Sequence, residues 1–385
     1  MQAGQRFAGE ATKRVSATIE DFGEKGTLTV FRGREVDRKE QVDVADMTAA
    51  ARIAVGWLRE QGVLEGLQFA AVRVVHGGLM FAGAVRATAE VRREIERLEE
   101  LAPLHNRSAV EILDVLDGEL NDGERKGTPL MVTFDTAFHR TLPEVAWRYP
   151  IERETADRWG VRKFGFHGLS HRYMLEQYAR SVGKPTEKVS LVTLHLESGS
   201  SAAAILKGRS VDTTMGLTPL EGLMMGTRSG SVDPAIVPFL MEKEGVEVDA
   251  VMTLLEKKSG LLGIAGGSLD TRVLVKREDT AARLALEMFG YRVRMAVGAY
   301  LAVLGEAVDA VIFGGGIGEN SPWLRSAVAE GLRGFGMEFD AALNERSVEG
   351  QVRLSKEGSR LGAWSMPVEE GLQMAFECRL AIEAE

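Results

Sequence analysis

Short apolar segments that end in glycine or aspartate recur along this chain, and helical segments separate them. The segment Phe69–Val75 is rich in β-branched residues and leads into Gly77-Gly78, and Ala307–Phe313 leads into Gly314–Gly316. A third apolar segment ends at Asp135. Strands that alternate with helices indicate an α/β fold, in which ligands bind at the carboxyl ends of the strands. We therefore expect the chemistry of this chain at these turns.

The size and charge of the chain limit the kinds of partner it can have. At 385 residues it exceeds the usual size of one domain, so two domains are expected. The net charge of −9 argues against nucleic acid or an anionic membrane as the main partner. The single cysteine, Cys378, cannot form an intrachain disulfide, and no apolar run reaches the roughly 18 residues of a membrane span. These features predict a soluble cytoplasmic protein that acts on small molecules.

Further elements follow from capping signals and periodicity. Residues 14 to 32 are predicted to form one or two strands followed by a charged loop, and Asp46 is predicted to cap a helix over Met47–Gln61. The pattern also predicts helices over residues 87–101, 170–182, 246–257, 278–306 and 368–382, and strands over residues 129–134, 188–195 and 202–206.

Arg73, Val75 and Asp135 are the first candidate site residues. Arg73 and Val75 are two residues apart on a predicted strand, so they share a face that suits a small anion with a short apolar tail. Strand sequence alone favours the alternative, an edge-strand arginine that faces water. Asp135 follows a strand and is equally consistent with a ligand-binding carboxylate and with a helix N-cap.

A second candidate site is the turn Phe164–His171, which places Phe166 and His167 just before a predicted helix. The partly positive helix N-terminus, together with a histidine, would favour an anionic group such as a transferring phosphoryl. In the alternative interpretation His167 is an ordinary turn histidine. His171 is expected to lie on the helix surface.

Two glycine-rich segments complete the set. Residues 212–234 form an apolar segment without clear periodicity in which Arg228 is the only cation, and such long irregular loops are more often sites than linkers. Residues 311–320 resemble a nucleotide-binding turn but do not have the Rossmann pattern. The chain also lacks a Walker lysine pattern, which disfavours a P-loop enzyme.

Taken together, these segments resemble the acetate kinase family, of the acetate and sugar kinase, Hsp70 and actin superfamily. The resemblance runs from about residue 69 to 371, and its motifs are, in order, RVVHGG at 73–78, LAPLHN at 101–106, FDTAFH at 134–139, FGFHG at 164–168, the 212–234 segment, SGLLGI at 259–264 and GGIGENS at 315–321. It implies two actin-like (ribonuclease H-like) α/β domains with the active site in the cleft between them. Residues 1–137 and 369–385 would form one domain, and residues 138–368 would form the second, which binds nucleotide and dimerises.

The resemblance also implies a role for individual residues. Arg73 and Arg228 would hold the carboxylate and phosphoryl oxygens, Asp135 would be the catalytic carboxylate, and His167 would stabilise the transition state. The apolar pocket for the substrate methyl would consist of Val75, Leu104, Phe166 and Pro219. The nucleotide would contact His195, Leu196, Glu197, Ser198, Gly199, Asp270, Thr271, Arg272, Gly316, Ile317, Gly318, Glu319 and Asn320. Glu369 matches the glutamate associated with magnesium.

The implied activity is the reversible, Mg²⁺-requiring phosphorylation of acetate by ATP, which yields acetyl phosphate and ADP by direct in-line transfer. A propionate kinase or another short-chain carboxylate kinase is one alternative, and a catalytically inert nucleotide-binding homologue is another. The family forms homodimers, so a homodimer without nucleic-acid or membrane partners is expected.

The chain departs from the family pattern in two places. It lacks the motif Asn-x-Gly-Ser-Ser-Ser-x-Lys of the family's first strand, so either Met1 is a wrongly assigned or internal start, or the first domain has lost its first phosphate-binding hairpin, about one strand and its turn. Glu197-Ser198 stands where Gly-Asn is usual, and Leu169 stands where threonine is usual. A glutamate near phosphates would repel them, so Glu197 is expected to turn outward or to meet a cation.

Overall fold

The computed structural model describes residues 15–20, 23, 25–32, 35–100, 103–121, 127–346 and 350–385. The chain divides into two compact units, Met1–Ala137 with Glu370–Glu385, and Phe138–Glu369. Both contain helices and strands. Across the described ranges, none of the helices combines the length and the apolar character that crossing a bilayer requires.

The first unit begins with an antiparallel sheet and continues with a second sheet covered by helices. Its elements up to residue 134 are β1 (Ser16–Glu20), β2 (Gly26–Arg32), β3 (Glu35–Val42), α1 (Met47–Glu60), β4 (Ala70–Val74), β5 (Val85–Arg86), α2 (Ala89–Arg97), α3 (Pro103–Leu120) and β6 (Leu130–Phe134). The sheet orders are β1-β2-β3 and β4-β6-β5, with β4 and β6 parallel.

Two predictions for this unit can be compared with the structure. The cap of α1 is confirmed, since the Asp46 carboxylate accepts a hydrogen bond of 2.8 Å from the Ala49 amide. The charged loop predicted after residue 32 is wrong, because Glu35–Val42 forms β3, which pairs with β2. Most residues of β3 are exposed, so the strand lacks the alternating burial that reveals a strand in a sequence.

The parallel pairing of β4 with β6 positions the first candidate residues. Val74 and Phe134 point into a core that also contains Ile95. Arg73 pairs with Thr133, and the Asp135 amide continues the ladder by donating 3.1 Å to the Val74 carbonyl oxygen. The carboxyl ends of the two strands therefore hold Arg73 and Asp135 side by side.

The second unit is built on one larger sheet. Its elements are α4 (Glu144–Trp147), α5 (Arg153–Trp159), α6 (Gly168–Ser181), β7 (Leu191–Leu196), β8 (Ser200–Leu206), β9 (Arg209–Thr213), α7 (Ile236–Glu244), α8 (Val248–Lys257), α9 (Gly260–Ala265), α10 (Thr271–Leu274), α11 (Thr280–Leu304), β10 (Ala310–Gly314), α12 (Gly315–Asn320), α13 (Pro322–Glu330), α14 (Ala341–Asn344), β11 (Val352–Arg353) and β12 (Gly362–Ser365). The final helix, α15 (Glu370–Glu383), belongs to the first unit and packs on β4 and β6.

The six-stranded sheet of the second unit has the order β11-β12-β10-β7-β8-β9, and β7, β10 and β12 are parallel. Alternate residues of its central strands face opposite sides. Leu194 and Phe313 pack in a core with α11, whereas Leu191 and Ile312 pack in another core with α6. Helices therefore cover both faces of this sheet.

Candidate active site

In the first unit, the Arg73 guanidinium lies between two carboxylates. Its Nε donates 2.8 Å to Asp135 Oδ1 and its Nη2 donates 2.6 Å to Asp135 Oδ2, which is the two-point geometry that favours arginine over lysine. Its Nη1 donates 2.8 Å to Oε2 of Glu370, at the start of α15. The two side chains therefore form an ion pair in which the Asp135 carboxylate is buried and the Arg73 side chain is 35% exposed.

The segment beyond β4 is held by a buried amide. The Asn106 side chain accepts 3.2 Å from the His76 amide and donates 3.0 Å to the His76 carbonyl oxygen. The Gly78 amide donates 3.1 Å to His76 Nδ1, and burial lowers the pKa of His76 to about 4. Gly77 permits close packing, since a Cβ there would lie 2.7 Å from Phe134. This clamp fixes the backbone next to Arg73.

In the second unit, His167 occupies a strained backbone conformation. Its φ is 56°, in the left-handed region that non-glycine residues rarely adopt, and such strain concentrates at functional sites. It stands immediately before α6. Gly165, with φ 77°, shapes the same turn, and a Cβ there would lie 2.5 Å from the Thr213 side chain and 2.7 Å from His139.

The His167 imidazole is hydrogen-bonded through its Nδ1 to a series of buried side chains. Its Nδ1 lies 2.9 Å from Ser201 Oγ, which lies 2.8 Å from His171 Nε2. His171 Nδ1 in turn lies 2.8 Å from Thr193 Oγ1. The prediction of a surface position for His171 is wrong, because the residue is fully buried. Burial, together with His139 and His195, lowers the pKa of His171 well below its usual value.

Arg228 lies in the irregular segment and differs from Arg73 in its surroundings. It is half-buried, and its Nη1 donates 3.4 Å to the Pro219 carbonyl oxygen. Within the described ranges it forms no ion pair. Burial lowers the pKa of its guanidinium and the more distant Glu256 opposes this effect, yet an arginine stays charged at neutral pH. The site therefore holds a positive charge that no described carboxylate contacts.

The side chains of Arg228 and His167 both lie next to Gly199. A Cβ built on Gly199 would lie 3.5 Å from Arg228 Nη1 and 3.6 Å from His167 Nε2. A side chain at this position would fill the space between the two donors. The predicted residues His167, Gly199, Pro219 and Arg228 are thus neighbours in the structure.

The predicted phosphate loop and the glycine turn after β10 lie at the same edge of the sheet. His195 of β7 pairs with Gly314 of β10, so the residues that follow both strands are adjacent. The His195 and His167 rings are 4.4 Å apart. The buried side chain of Arg325 is hydrogen-bonded to the glycine turn after β10, since its Nη1 donates 2.9 Å to the Gly318 carbonyl oxygen.

Glu197 bridges the two loops. Its Oε1 accepts 3.1 Å from the Gly316 amide, and its Oε2 lies 4.0 Å from His195 Nε2. The side chain is 51% exposed. It was expected to turn outward or to meet a cation, and it is half-exposed but bonded to a backbone amide. The carboxylate therefore occupies a donor that a nucleotide phosphate could use.

Among the other predicted nucleotide residues, Leu196 and Ser198 lie at the end of β7 and just after it, whereas Asp270, Thr271 and Arg272 lie at the start of α10. Leu196 is fully buried in the core, so only its backbone faces the glycine turn. Asp270 and Arg272 pair with each other at 2.7 Å, and the hydrogen bonds from Arg272 lower the pKa of Asp270. Where the structure describes the chain, no hydrogen bond or ion pair joins Asp270 or Arg272 to the turn after β10. Ser198 lies beside Gly226, whose amide donates 2.9 Å to the Ser198 carbonyl oxygen, and Thr271 is buried on α10.

The remaining turn residues and the apolar pocket residues occupy the following places. Asn320 donates 2.9 Å to the Gly316 carbonyl oxygen within α12, and Ile317 packs against the core. Phe166 is buried, Val75 directly follows β4, and the side chain of Leu104 lies outside the described residues.

Glu319 follows the end of β10 by five residues, and Glu369 follows the end of β12 by four residues. The Glu319 carboxylate accepts 3.2 Å from the Val368 amide, next to Glu369. Burial raises the pKa of Tyr173, and the Glu369 and Glu319 charges raise it further. The described residues contain no cluster of three or more metal-ligating side chains. Mg²⁺ usually takes only one or two carboxylates together with substrate phosphates, so these residues fit an ion that arrives with a nucleotide.

The sequence matches the model of the Acetokinase family over residues 6–376. The chain belongs to this family. It is 41% identical to the acetate kinase of Halothermothrix orenii, an alignment that covers 92% of this chain and 89% of that protein. The crystal structure of Porphyromonas gingivalis acetate kinase is 33% identical, with a TM-score of 0.89 and coverage of 97% of this chain and 95% of that one. A propionate kinase from Francisella tularensis is 31% identical, with a TM-score of 0.85 and coverage of 95% and 93%.

These matches confirm the predicted acetate kinase family and the predicted α/β fold of two actin-like domains. Sequence reasoning missed two side chains that contact predicted site residues: Glu370, which contacts Arg73, and Ser201, which contacts His167. Glu370 stands beside Glu369 in the sequence, and Ser201 ends the predicted phosphate loop, so their positions offered the only available signal.

Replacement of Gly165 by alanine tests the turn that carries His167. We expect Gly165→Ala to lower both the melting temperature and kcat, because the added methyl would overlap Thr213 and His139. Gly160→Ala is the matched control, since Gly160 also has positive φ, 62°, but open space around its Cβ. The backbone cost of about 1–2 kcal/mol should appear in both variants. Calorimetry and steady-state kinetics separate the two effects, and equal losses of kcat would contradict this role of the turn.

Proposed function

We propose that this protein is an acetate kinase, which transfers the terminal phosphoryl group of ATP to acetate and forms acetyl phosphate and ADP reversibly. The observation that carries the proposal is the half-buried Arg228, which forms no ion pair with a described residue and lies across Gly199 from His167. The names of its relatives support the same activity.

Electrostatics sets the demands of this reaction. A carboxylic acid with a pKa near 4 is ionised at neutral pH, so the attacking oxygen needs no general base. The acetate and the phosphate chain repel each other, and the protein must offset that repulsion. Donors arranged in advance around the transferring group do so with little reorganisation.

We assign the roles accordingly. Arg228 and His167 donate to oxygens of the transferring phosphoryl group, and Arg73 receives the carboxylate. Asp135 orients Arg73 through both of its oxygens and does not act as a base. In the second unit, Phe166 and Pro219 are the residues that we assign to the short apolar tail of the substrate.

The nucleotide is proposed to bind through the loop 195–199, the turn 316–320 and residues 270–272. In the first of these loops, Leu196 contributes only its backbone, since its side chain is buried. Glu369, together with Glu319, would hold Mg²⁺ that arrives with the nucleotide. Bound there, the ion supplies charge neutralisation on the phosphate oxygens.

The acyl acceptor is tested by competition. The purified chain receives Mg-ATP with acetate, propionate or butyrate, and hydroxylamine traps the acyl phosphates for quantification. An acetate kinase gives its highest kcat/KM with acetate, whereas a higher value for propionate favours a propionate kinase, as the Francisella relative is named. If a folded chain gives no acyl phosphate from any of the three, the proposal fails in favour of a nucleotide-binding homologue.

We further propose that the protein is a cytoplasmic homodimer. ATP is a cytoplasmic substrate, and burial raises the pKa of the single cysteine, Cys378, to about 12, so its thiol stays unreactive. On α11, Leu284, Tyr291 and Met295 are each at least half exposed and lie at helical spacing on one face. A second copy of the chain is the occupant that we assign to this apolar face, because a two-fold pairing would set it against itself.

Substitution of Arg228 tests the role of its positive charge. We expect Arg228→Ala to lower kcat about 100- to 1000-fold, the order observed when one preorganised donor is lost. Arg228→Lys keeps the charge but not the planar guanidinium group, so its kcat should fall between those of the natural protein and Arg228→Ala. The control is Arg209→Ala on the exposed face of β9. Hydroxamate formation measures all three variants, and full activity of Arg228→Ala would exclude a direct role.

Removal of the Glu197 charge tests its competition with nucleotide. We expect Glu197→Gln to lower the KM for ATP by several-fold, corresponding to about 1 kcal/mol for a half-exposed charge. Glu197→Asp keeps the charge and should not do so, and Glu187→Gln removes an exposed charge elsewhere in the same unit. The decrease in the KM for ATP should become smaller as the salt concentration is raised. An unchanged or higher KM in Glu197→Gln would show that the carboxylate does not oppose the nucleotide.

A charge on the α11 face tests the homodimer. Analytical ultracentrifugation should give twice the mass of one chain for the natural sequence and the mass of one chain for Met295→Asp, since an aspartate would be buried unpaired in the interface. Val248→Asp introduces the same charge at an exposed apolar position on α8 and should stay dimeric. A monomeric natural protein, or a dimeric Met295→Asp, would contradict the assignment.

A further inference from the structure

Four side chains in the second unit form a hydrogen-bonded chain in which hydroxyls and imidazoles alternate. Thr193 Oγ1 lies 2.8 Å from His171 Nδ1, and His171 Nε2 lies 2.8 Å from Ser201 Oγ. Ser201 Oγ lies 2.9 Å from His167 Nδ1. Thr193, His171 and Ser201 are fully buried. Water therefore does not supply the donors and acceptors of this chain.

His171 determines that all the hydrogen bonds in this series of side chains are donated in the same direction. A neutral imidazole has one N–H donor and one acceptor nitrogen, and a hydroxyl donates one hydrogen. His171 is neutral because its burial lowers its pKa well below the usual value. It must therefore donate from one nitrogen and accept at the other. Ser201, whose hydroxyl contacts only the two imidazoles among the described residues, passes this direction on to His167.

The two possible directions differ at Thr193. If Thr193 donates to His171, then His171 donates to Ser201 and Ser201 donates to His167 Nδ1, and the hydrogens of Thr193, His171 and Ser201 all have acceptors. In the opposite direction the Thr193 hydroxyl accepts, and its own hydrogen needs another acceptor. The described residues give Thr193 Oγ1 no second partner, and an unpaired buried donor is unfavourable. The first direction is therefore the more stable one.

We propose that Thr193, His171 and Ser201 are positioning residues that hold His167 in the tautomer with its proton on Nε2. A neutral His167 then still donates from Nε2. This nitrogen is the one that lies near Gly199, in the space shared with Arg228. The inference rests on the proposed role of His167 as a donor to the phosphoryl group, and it explains how His167 can play that role without becoming charged.

The tautomer can be observed directly. Protein labelled with ¹⁵N-histidine gives long-range ¹H–¹⁵N correlations that distinguish the two nitrogens, and the His167→Gln spectrum identifies the His167 signals. We expect the Nε2–H form in the natural protein. Thr193→Val, which keeps the shape but removes the hydroxyl, should give a mixture of tautomers. It should also lower kcat about 10- to 100-fold, as the loss of an outer hydrogen-bond partner does, with both KM values unchanged.

Matched variants separate positioning from general damage. Thr193→Ser keeps the hydroxyl and should retain the natural tautomer and kcat. Ser201→Ala breaks the chain next to His167 and should reproduce the Thr193→Val spectrum, which covers the case in which Thr193→Val does not fold. Ser210→Ala removes the hydroxyl 2.8 Å from His139 Nδ1, another buried serine–histidine pair, and should leave the His167 tautomer unchanged.

Two results would overturn the inference: an Nδ1–H form of His167 in the natural protein, or an unchanged Nε2–H form in both Thr193→Val and Ser201→Ala. The spectra do not depend on turnover. A natural protein that makes no acyl phosphate yet shows the Nε2–H form, lost in the variants, would therefore contradict the proposed function and leave the positioning of His167 supported.

Discussion

Two anions must come into contact before a phosphoryl group can pass between them, and this constraint explains how the charged residues of the chain are arranged. Arg73 is held by two carboxylates, Asp135 and Glu370, so its charge is largely compensated and its orientation is fixed. Arg228 has no such partner among the described residues and is partly desolvated. A cation in that condition interacts strongly with an incoming anion, because fewer water molecules compete for it.

The histidines of the second unit can provide hydrogen-bond donors without adding positive charge. Charged imidazoles packed as closely as the pairs His139–His171 and His167–His195 would repel one another, and burial keeps His171 neutral. Neutral imidazoles can still organise donors through their tautomers. The second unit therefore combines Arg228, which has no carboxylate partner among the described residues, with a ring whose donor is fixed by hydrogen bonds, and both reach the space beside Gly199. Glu197 is the exception, since it brings a negative charge to the glycine turn through Gly316.

Local patterns were sufficient to predict β4, β6, β7, β8 and β10, the cap of α1 and the residues that end β4 and β6, because these features depend on neighbours in the sequence. They did not predict β3, whose exposed residues carry no alternating pattern. His171 was misplaced because the first turn of α6 is buried on all sides, so polarity did not indicate exposure there. The contacts of Glu370 with Arg73 and of Glu197 with Gly316 join residues that are distant in sequence, and only the folded chain brings them together.

The central claim is that phosphoryl transfer occurs in one in-line step between two bound anions, with the histidines as donors and not as phosphoryl carriers. The stereochemistry at phosphorus tests this most directly. ATP made chiral at its terminal phosphorus with oxygen isotopes is converted to acetyl phosphate, and the configuration of the product is determined. A single in-line displacement inverts the configuration, which is the predicted result. Retention would require two displacements through a phosphorylated side chain and would contradict the account.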